Sequence, residues 1–177
     1  YQWRKGTTPL ADGGRISGST TASLTITNIN SADAANDYNV LLSSPGGLCP
    51  QAISANVQLI VKALPDVTLT AVSPSICSGT PTAVLLTGSI AGTTFSWTMI
   101  QSGITGGSDG SGSNINQPLT TTGSIPGSIA YTITPLANGC NGLPVEIIIG
   151  VNPMPDVAAT PASQTICSGT APGILLT

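Results

Sequence analysis

The sequence contains no histidine, and only 6% of its 177 residues are charged, against about a quarter in an ordinary soluble domain. General acid–base catalysis relies mostly on histidine or on carboxylates paired in a dry cleft. The seven carboxylates here are scattered, with Asp33 and Asp37 the closest pair. Serine is abundant, but no base is present to activate one and no G-x-S-x-G elbow occurs. The reading is therefore non-enzymatic.

Positive charge is equally sparse. Arg4, Lys5, Arg15 and Lys62 are the only cations, and residues 63–177 have none. Phosphate backbones are held by clustered Lys and Arg, so no nucleic-acid partner is expected. Aromatic residues make up 3% of the chain, too few for an exposed sugar-stacking platform. No run of about 18 apolar residues exists to cross a membrane. No signal peptide is visible, but Tyr1 is not a natural start, so missing targeting signals say nothing about the parent protein.

What is present is Thr, Ser, Asn and Gly on a chain that is 40% hydrophobic, with 21 Gly and 14 Pro. Low charge with substantial hydrophobicity is not the composition of a disordered chain. Thr and Val suit half-buried pleated surfaces, and Gly and Pro supply turns. Strong helix formers are few in every window, so the expected fold class is all-β.

An internal repeat organises the chain. Pro65-Asp66-Val67 recurs as Pro155-Asp156-Val157, and Ser75-Ile76-Cys77-Ser78-Gly79-Thr80 as Thr165-Ile166-Cys167-Ser168-Gly169-Thr170, each 90 residues on. Leu85-Leu86-Thr87 and Leu175-Leu176-Thr177 share that offset. Further back, Tyr1-Gln2-Trp3 parallels Phe95-Ser96-Trp97, Tyr38 parallels Tyr131, and Gly47-Leu48-Cys49 parallels Asn138-Gly139-Cys140. The predicted organisation is the C-terminal part of one domain (1–64), a complete domain (65–153) and the first strands of a third repeat (154–177). The Pro-containing joints between them are short and leave little slack.

Alternation predicts strands at 24–27 and 57–61, and in the complete domain near 66–72, 82–88, 93–100, 129–135 and 144–151. The Gly/Ser stretch 102–113 reads as a long flexible loop. It lacks the GK[ST] ending of a phosphate loop. Asp109 within it is a single carboxylate, far short of the six to eight oxygens that calcium takes. With neither C-x-x-C spacing nor a Cys/His pair, the four cysteines carry no zinc signature. No metal or cofactor is expected, and their turn-like contexts point to disulfides in an oxidising compartment.

These motifs carry a resemblance. Tyr1-Gln2-Trp3, Leu24-Thr25-Ile26, Ala32-Asp33-Ala34 and Tyr38 resemble the C-to-F stretch of an immunoglobulin-like domain with its tyrosine corner. Phe95-Ser96-Trp97-Thr98, Tyr131-Thr132-Ile133, Asn138-Gly139-Cys140 and Val151-Asn152-Pro153-Met154-Pro155 resemble a PKD-like domain. Together they are similar to the tandem Ig-like/PKD-like repeat regions of giant bacterial cell-surface adhesins, the SprB-type gliding-motility adhesins exported by type IX secretion. The resemblance implies tandem β-sandwich domains and an extracellular place on a bacterial surface. It implies a stalk role in gliding motility or attachment, with Trp3, Tyr38, Trp97 and Tyr131 as core residues. Asp33 is expected to cap the E–F turn. Implied partners are neighbouring repeats of the same chain, surface polysaccharide, or the secretion and motility machinery. The alternatives are a glycan- or polysaccharide-binding module acting through loop 102–113, and accessory domains of a large secreted enzyme.

The resemblance leaves the disulfides open. Cys77 with Cys140 inside one domain is the obvious pairing, with Cys49 and Cys167 paired outside this chain. The cysteines depart from the antibody positions, however: one precedes strand B and the other sits in the F–G loop. The alternative joins the A–B cysteine of one domain to the F–G cysteine of the next.

Overall fold

The computed structural model describes residues 1–47, 49–157, 159–160 and 163–176. Leu48 and Thr177, both part of the repeat matches above, lie outside the described residues. The chain divides into two compact units, Tyr1–Ala63 and Leu64–Thr177.

In the first unit, β1 (Gln2–Lys5), β2 (Thr8–Pro9), β3 (Ile16–Ser17) and β4 (Thr25–Ile26) are followed by a 3-10 turn at Ser31–Asp33. Then come β5 (Ala35–Leu42), β6 (Ala52–Ile53) and β7 (Val57–Leu59). One sheet runs β2-β1-β5-β6, with β7 also on β5, and β3 pairs with β4 apart from it. The register sets Trp3 opposite Val40 and Lys5 opposite Tyr38.

The second unit begins with β8 (Thr68–Thr70), β9 (Ser75–Cys77), β10 (Val84–Thr87) and β11 (Thr94–Ser102). It continues through β12 (Ile104–Thr105), β13 (Gly110–Ser111), β14 (Asn114–Ile115), β15 (Thr120–Thr121) and β16 (Gly127–Ala137). It closes with β17 (Cys140–Asn141), β18 (Val145–Asn152), β19 (Ala159–Thr160) and β20 (Leu175–Leu176). Two sheets, β14-β10-β8 and β13-β11-β16-β18-β9, make a sandwich over residues 65–153. All pairs in it are antiparallel except β9, which lies parallel to β18.

Period-two alternation explains the core. Along β18, Ile147, Ile149 and Val151 point inward while Glu146 and Ile148 face out. Across the sheet, Trp97 faces Ile133, and Met99, Tyr131 and Ile147 line up in one row. Val84 and Leu86 of β10 close the core from the opposite sheet, both essentially without exposure. Inward-facing apolar rows on both sheets are what hold a sandwich together. The chain has an all-β fold, as its composition predicts.

The stretch 102–113 is not a flexible loop. It folds back as β12 and β13, with Ile104 in the core and Gly110 opposite Trp97. A Cβ on Gly110 would lie 2.7 Å from the Trp97 ring, and one on Gly107 would lie 2.4 Å from Ile129. The glycines are there so that backbone can pass close over an aromatic core, a use that composition alone does not distinguish from flexibility.

Candidate functional site

The polar residues of the repeat motifs are engaged in holding turns and ends. In Cys77-Ser78-Gly79-Thr80, the Thr80 backbone N–H donates to the Cys77 carbonyl at 3.1 Å and its hydroxyl donates to the same oxygen. Gly79 takes a φ of +86°, which favours glycine. Ninety residues on, Thr170 donates to the Cys167 carbonyl from its backbone at 3.2 Å and from its hydroxyl at 2.7 Å, around Gly169 at +90°. The same sequence thus builds the same turn twice. Ser78 Oγ also accepts from the Thr121 N–H at 3.0 Å, tying the turn to β15.

Asp66 of the Pro-Asp-Val motif is a tie that residue-by-residue reading misses. Its Oδ1 accepts from the Ser89 N–H at 2.7 Å and from the Ser89 hydroxyl at 2.8 Å. Those bonds hold its carboxyl below the usual range and fasten the first residues of the sandwich to the turn after β10. The recurrence of the motif at Asp156 was the available signal.

In the first unit, the Tyr38 hydroxyl donates to the Asp33 carbonyl at 2.7 Å, a tyrosine-corner geometry. The cap of the turn before it is Asn30, whose side chain accepts from the Ala32 N–H at 2.9 Å. Asp33 is not itself the N-cap: it completes a capping box, accepting from the Asn30 N–H at 2.8 Å. Arg15 also grips it with two bonds, of 2.7 and 2.9 Å. The Arg15 guanidinium, then the Asn30 N–H, lowers its carboxyl to about 2.

Trp97 and Tyr131 lie in the core at 7% and 0% exposure, Tyr38 is buried, and Trp3 is half-buried. The Tyr131 hydroxyl donates to Gln117 at 2.8 Å, and burial pushes it up to about 12. Asp109 accepts from the Met99 N–H at 2.8 Å, which ties β13 to β11. Among the described residues no three metal-ligating side chains gather. Among the described residues no helix is long and apolar enough to cross a membrane. A cleft of about 700 Å³ lies between Ser102-Gly103 and residues 122–128. Its walls carry no charged or aromatic side chain.

Cys77 and Cys140 occupy the two ends of the sandwich. None of the four cysteines is bonded to another. Cys77 sits opposite Asn152, the last residue of β18. Cys140 sits opposite Ala137, just past the Asn138-Gly139 turn that joins β16 to β17. Asn138 and Gly139 take φ values of +54° and +79°, the signature of a two-residue type I′ hairpin. Ten residues of β16 separate Ala137 from Gly127, which lies opposite Val151 next to Asn152. At 3.3 Å per residue, the two cysteines are about 33 Å apart. A disulfide needs Cα atoms within about 7 Å. The expected Cys77–Cys140 bond inside one domain is therefore not formed, because the A–B turn and the F–G hairpin lie at opposite ends of the same sheet.

Residues 74–155 match the sequence profile of the PKD-like domain family. Among solved structures, the chain is similar to the Sidekick-1 immunoglobulin domains 1-4, at 14% identity and a TM-score of 0.32, covering 90% of this chain and 44% of that one. It is also similar to Sidekick-1 immunoglobulin domains 1-5, at 13% identity and a TM-score of 0.33, covering 89% of this chain and 35% of that one. The chain thus spans less than half the length of either structure. No curated protein matches. PKD-like and immunoglobulin-like domains are generally extracellular, non-catalytic binding or structural modules. Residues 74–155, the greater part of the central sandwich, are thus similar to the PKD-like domain family.

Proposed function

We propose that this chain is a stalk segment of a secreted bacterial cell-surface adhesin, of the gliding-motility kind exported by type IX secretion. One observation carries the reading: the central sandwich takes the chain in at one end and releases it at the other. Pro65 enters beside the F–G hairpin, where a Cβ on Gly142 would lie 1.9 Å from the Pro65 carbonyl oxygen. Asn152 leaves beside the A–B turn, paired with Cys77. A module with entry and exit at opposite ends, repeated on short Pro joints, adds length with each copy.

The second support is where the polar groups go. The recurring Asp66, Ser78 and Thr80, and the buried Thr82 and Tyr131, all bond within the sandwich. That pattern serves reach: an uncharged surface, poor in Lys and Arg, projecting an adhesive tip. The partners are then neighbouring repeats of the same chain, with polysaccharide or motility machinery engaged elsewhere on the parent.

The test presents isolated residues 65–153 to a panel of polysaccharides and chromogenic hydrolase substrates. The expected result is neither saturable binding nor turnover. Saturable glycan binding lost on shortening 102–113, or hydrolysis of any substrate, would overturn the stalk reading.

A further inference from the structure

We propose that the two cysteines of each repeat form disulfides across the joints: Cys77 pairs with the F–G cysteine of the repeat that follows. The proposal rests on the tandem, extracellular reading above and adds a covalent device to it.

The positions of the thiols lead to this. Cys77 and Cys140 are too far apart to bond to each other, yet each stands at an end where the chain enters or leaves. Cys77 is the register partner of Asn152, the residue before Pro153-Met154-Pro155. Cys140 is two residues from Gly142, which packs on the backbone of Pro65. In the central sandwich the exit end thus bears the A–B cysteine, Cys77, and the entry end bears the F–G cysteine, Cys140.

The joint brings unlike ends together. From Asn152 to Asp156, the repeat counterpart of Asp66, the chain advances four residues. Fully extended, that spans at most about 14 Å. An exit end is therefore held close to the following entry end, A–B cysteine toward F–G cysteine. The turn that presents the first thiol is built identically in both copies, at Cys77 and Cys167. The second thiol recurs at Cys49 and Cys140, 91 residues apart. One period past Cys140, the partner of Cys77 falls near position 231, beyond Thr177. This pairing gives none of the four cysteines a partner within residues 1–177.

The chemistry is thiol–disulfide exchange. The Cys77 thiolate attacks a small oxidised disulfide such as glutathione disulfide, forming a mixed disulfide and releasing one thiol. The facing cysteine then displaces the second thiol. One S–S bond forms between the repeats, two S–H bonds are lost, and the two electrons and two protons end on the two small thiols.

The test is a tandem of two copies of residues 65–154, which keeps the natural joint, oxidised with a glutathione pair, then mapped by non-reducing peptide mass spectrometry. The full chain 1–177 is treated in parallel. The expected tandem shows Cys77 of the first copy linked to Cys140 of the second, with the two outer thiols alkylated. The full chain shows no link between any two of its own cysteines. C77S in the first copy abolishes the link without changing the far-UV spectrum. A Cys77–Cys140 link within one copy, or no link in a folded tandem, would overturn the proposal. In the second case, a tandem still about twice as long as one copy by scattering leaves the stalk reading standing.

Discussion

The two units of this molecule share a strand plan and differ in how far it is closed. In the central sandwich, β8, β10 and β14 lie over the β11-β16-β18 sheet, and Trp97 and Tyr131 are sealed at 7% and 0% exposure. In Tyr1–Ala63, the equivalent sheet carries Trp3 and Tyr38 beside a groove of about 470 Å³, lined also by Leu24, Ile26, Ile29, Val57 and Leu59. Val57 stays 61% exposed there. In the central sandwich three strands, β8, β10 and β14, form the second sheet, whereas in the first unit only the β3-β4 pair is described apart from the main sheet. The first unit carries polar pins beside this groove: Arg15 on Asp33, Asn30 on the turn, Tyr38 on the Asp33 carbonyl.

That contrast can be broken most directly at the tryptophans. Trp97→Ala in the closed core is expected to cost about 3–5 kcal/mol. Trp3→Ala, at a half-buried position, should cost about 1–2 kcal/mol. Calorimetry of the full chain, with each variant scored on its own unit, makes the comparison. Equal costs would mean that the first core is as closed as the second.

The next effect comes from the entry end. Gly142→Ala puts a Cβ against the Pro65 carbonyl, and overpacking of this kind costs about 1–3 kcal/mol. Urea unfolding of residues 65–153 should move its midpoint accordingly. An unchanged midpoint would show that the F–G hairpin does not pack on the entering strand.

A smaller loss follows from Tyr38→Phe, which removes the hydroxyl bond to Asp33 and should cost about 1 kcal/mol, confined to the first unit. The subtlest difference is in acid. Asp33 titrates at about 2 in the folded protein, below its unfolded value of about 3.9. The stabilisation is therefore complete above about pH 4 and is lost as pH falls through about 2. Each unit holds one tryptophan, so Trp3 fluorescence should change before Trp97 fluorescence on acidification. Asp33→Asn should bring the two profiles together.

Much of this was legible in the sequence because it is periodic. Alternation at 82–88, 129–135 and 144–151 marks rows that pack as Val84 and Leu86, Ile129 to Ile133, and Ile147 to Val151. The Trp and Tyr positions follow from the strand plan. The 102–113 segment was not legible, because glycine beside a buried ring looks in sequence like glycine in a mobile loop. β9 was missed because three residues joined in parallel to a distant strand leave no local pattern. The cysteine pairing stayed open in the sequence: the resemblance already set the A–B turn and the F–G loop at opposite ends, and the register puts the two thiols there.

The central claim is that repeats of this sandwich add length end to end. Small-angle scattering of arrays of one, two, four and eight copies of residues 65–153 tests it most directly. β16 spans 11 residues, which at 3.3 Å each sets an increment of roughly 36 Å per copy. The account predicts a maximum dimension rising linearly by about that amount. A dimension that levels off as copies are added, with arrays folding into compact clusters, would contradict it.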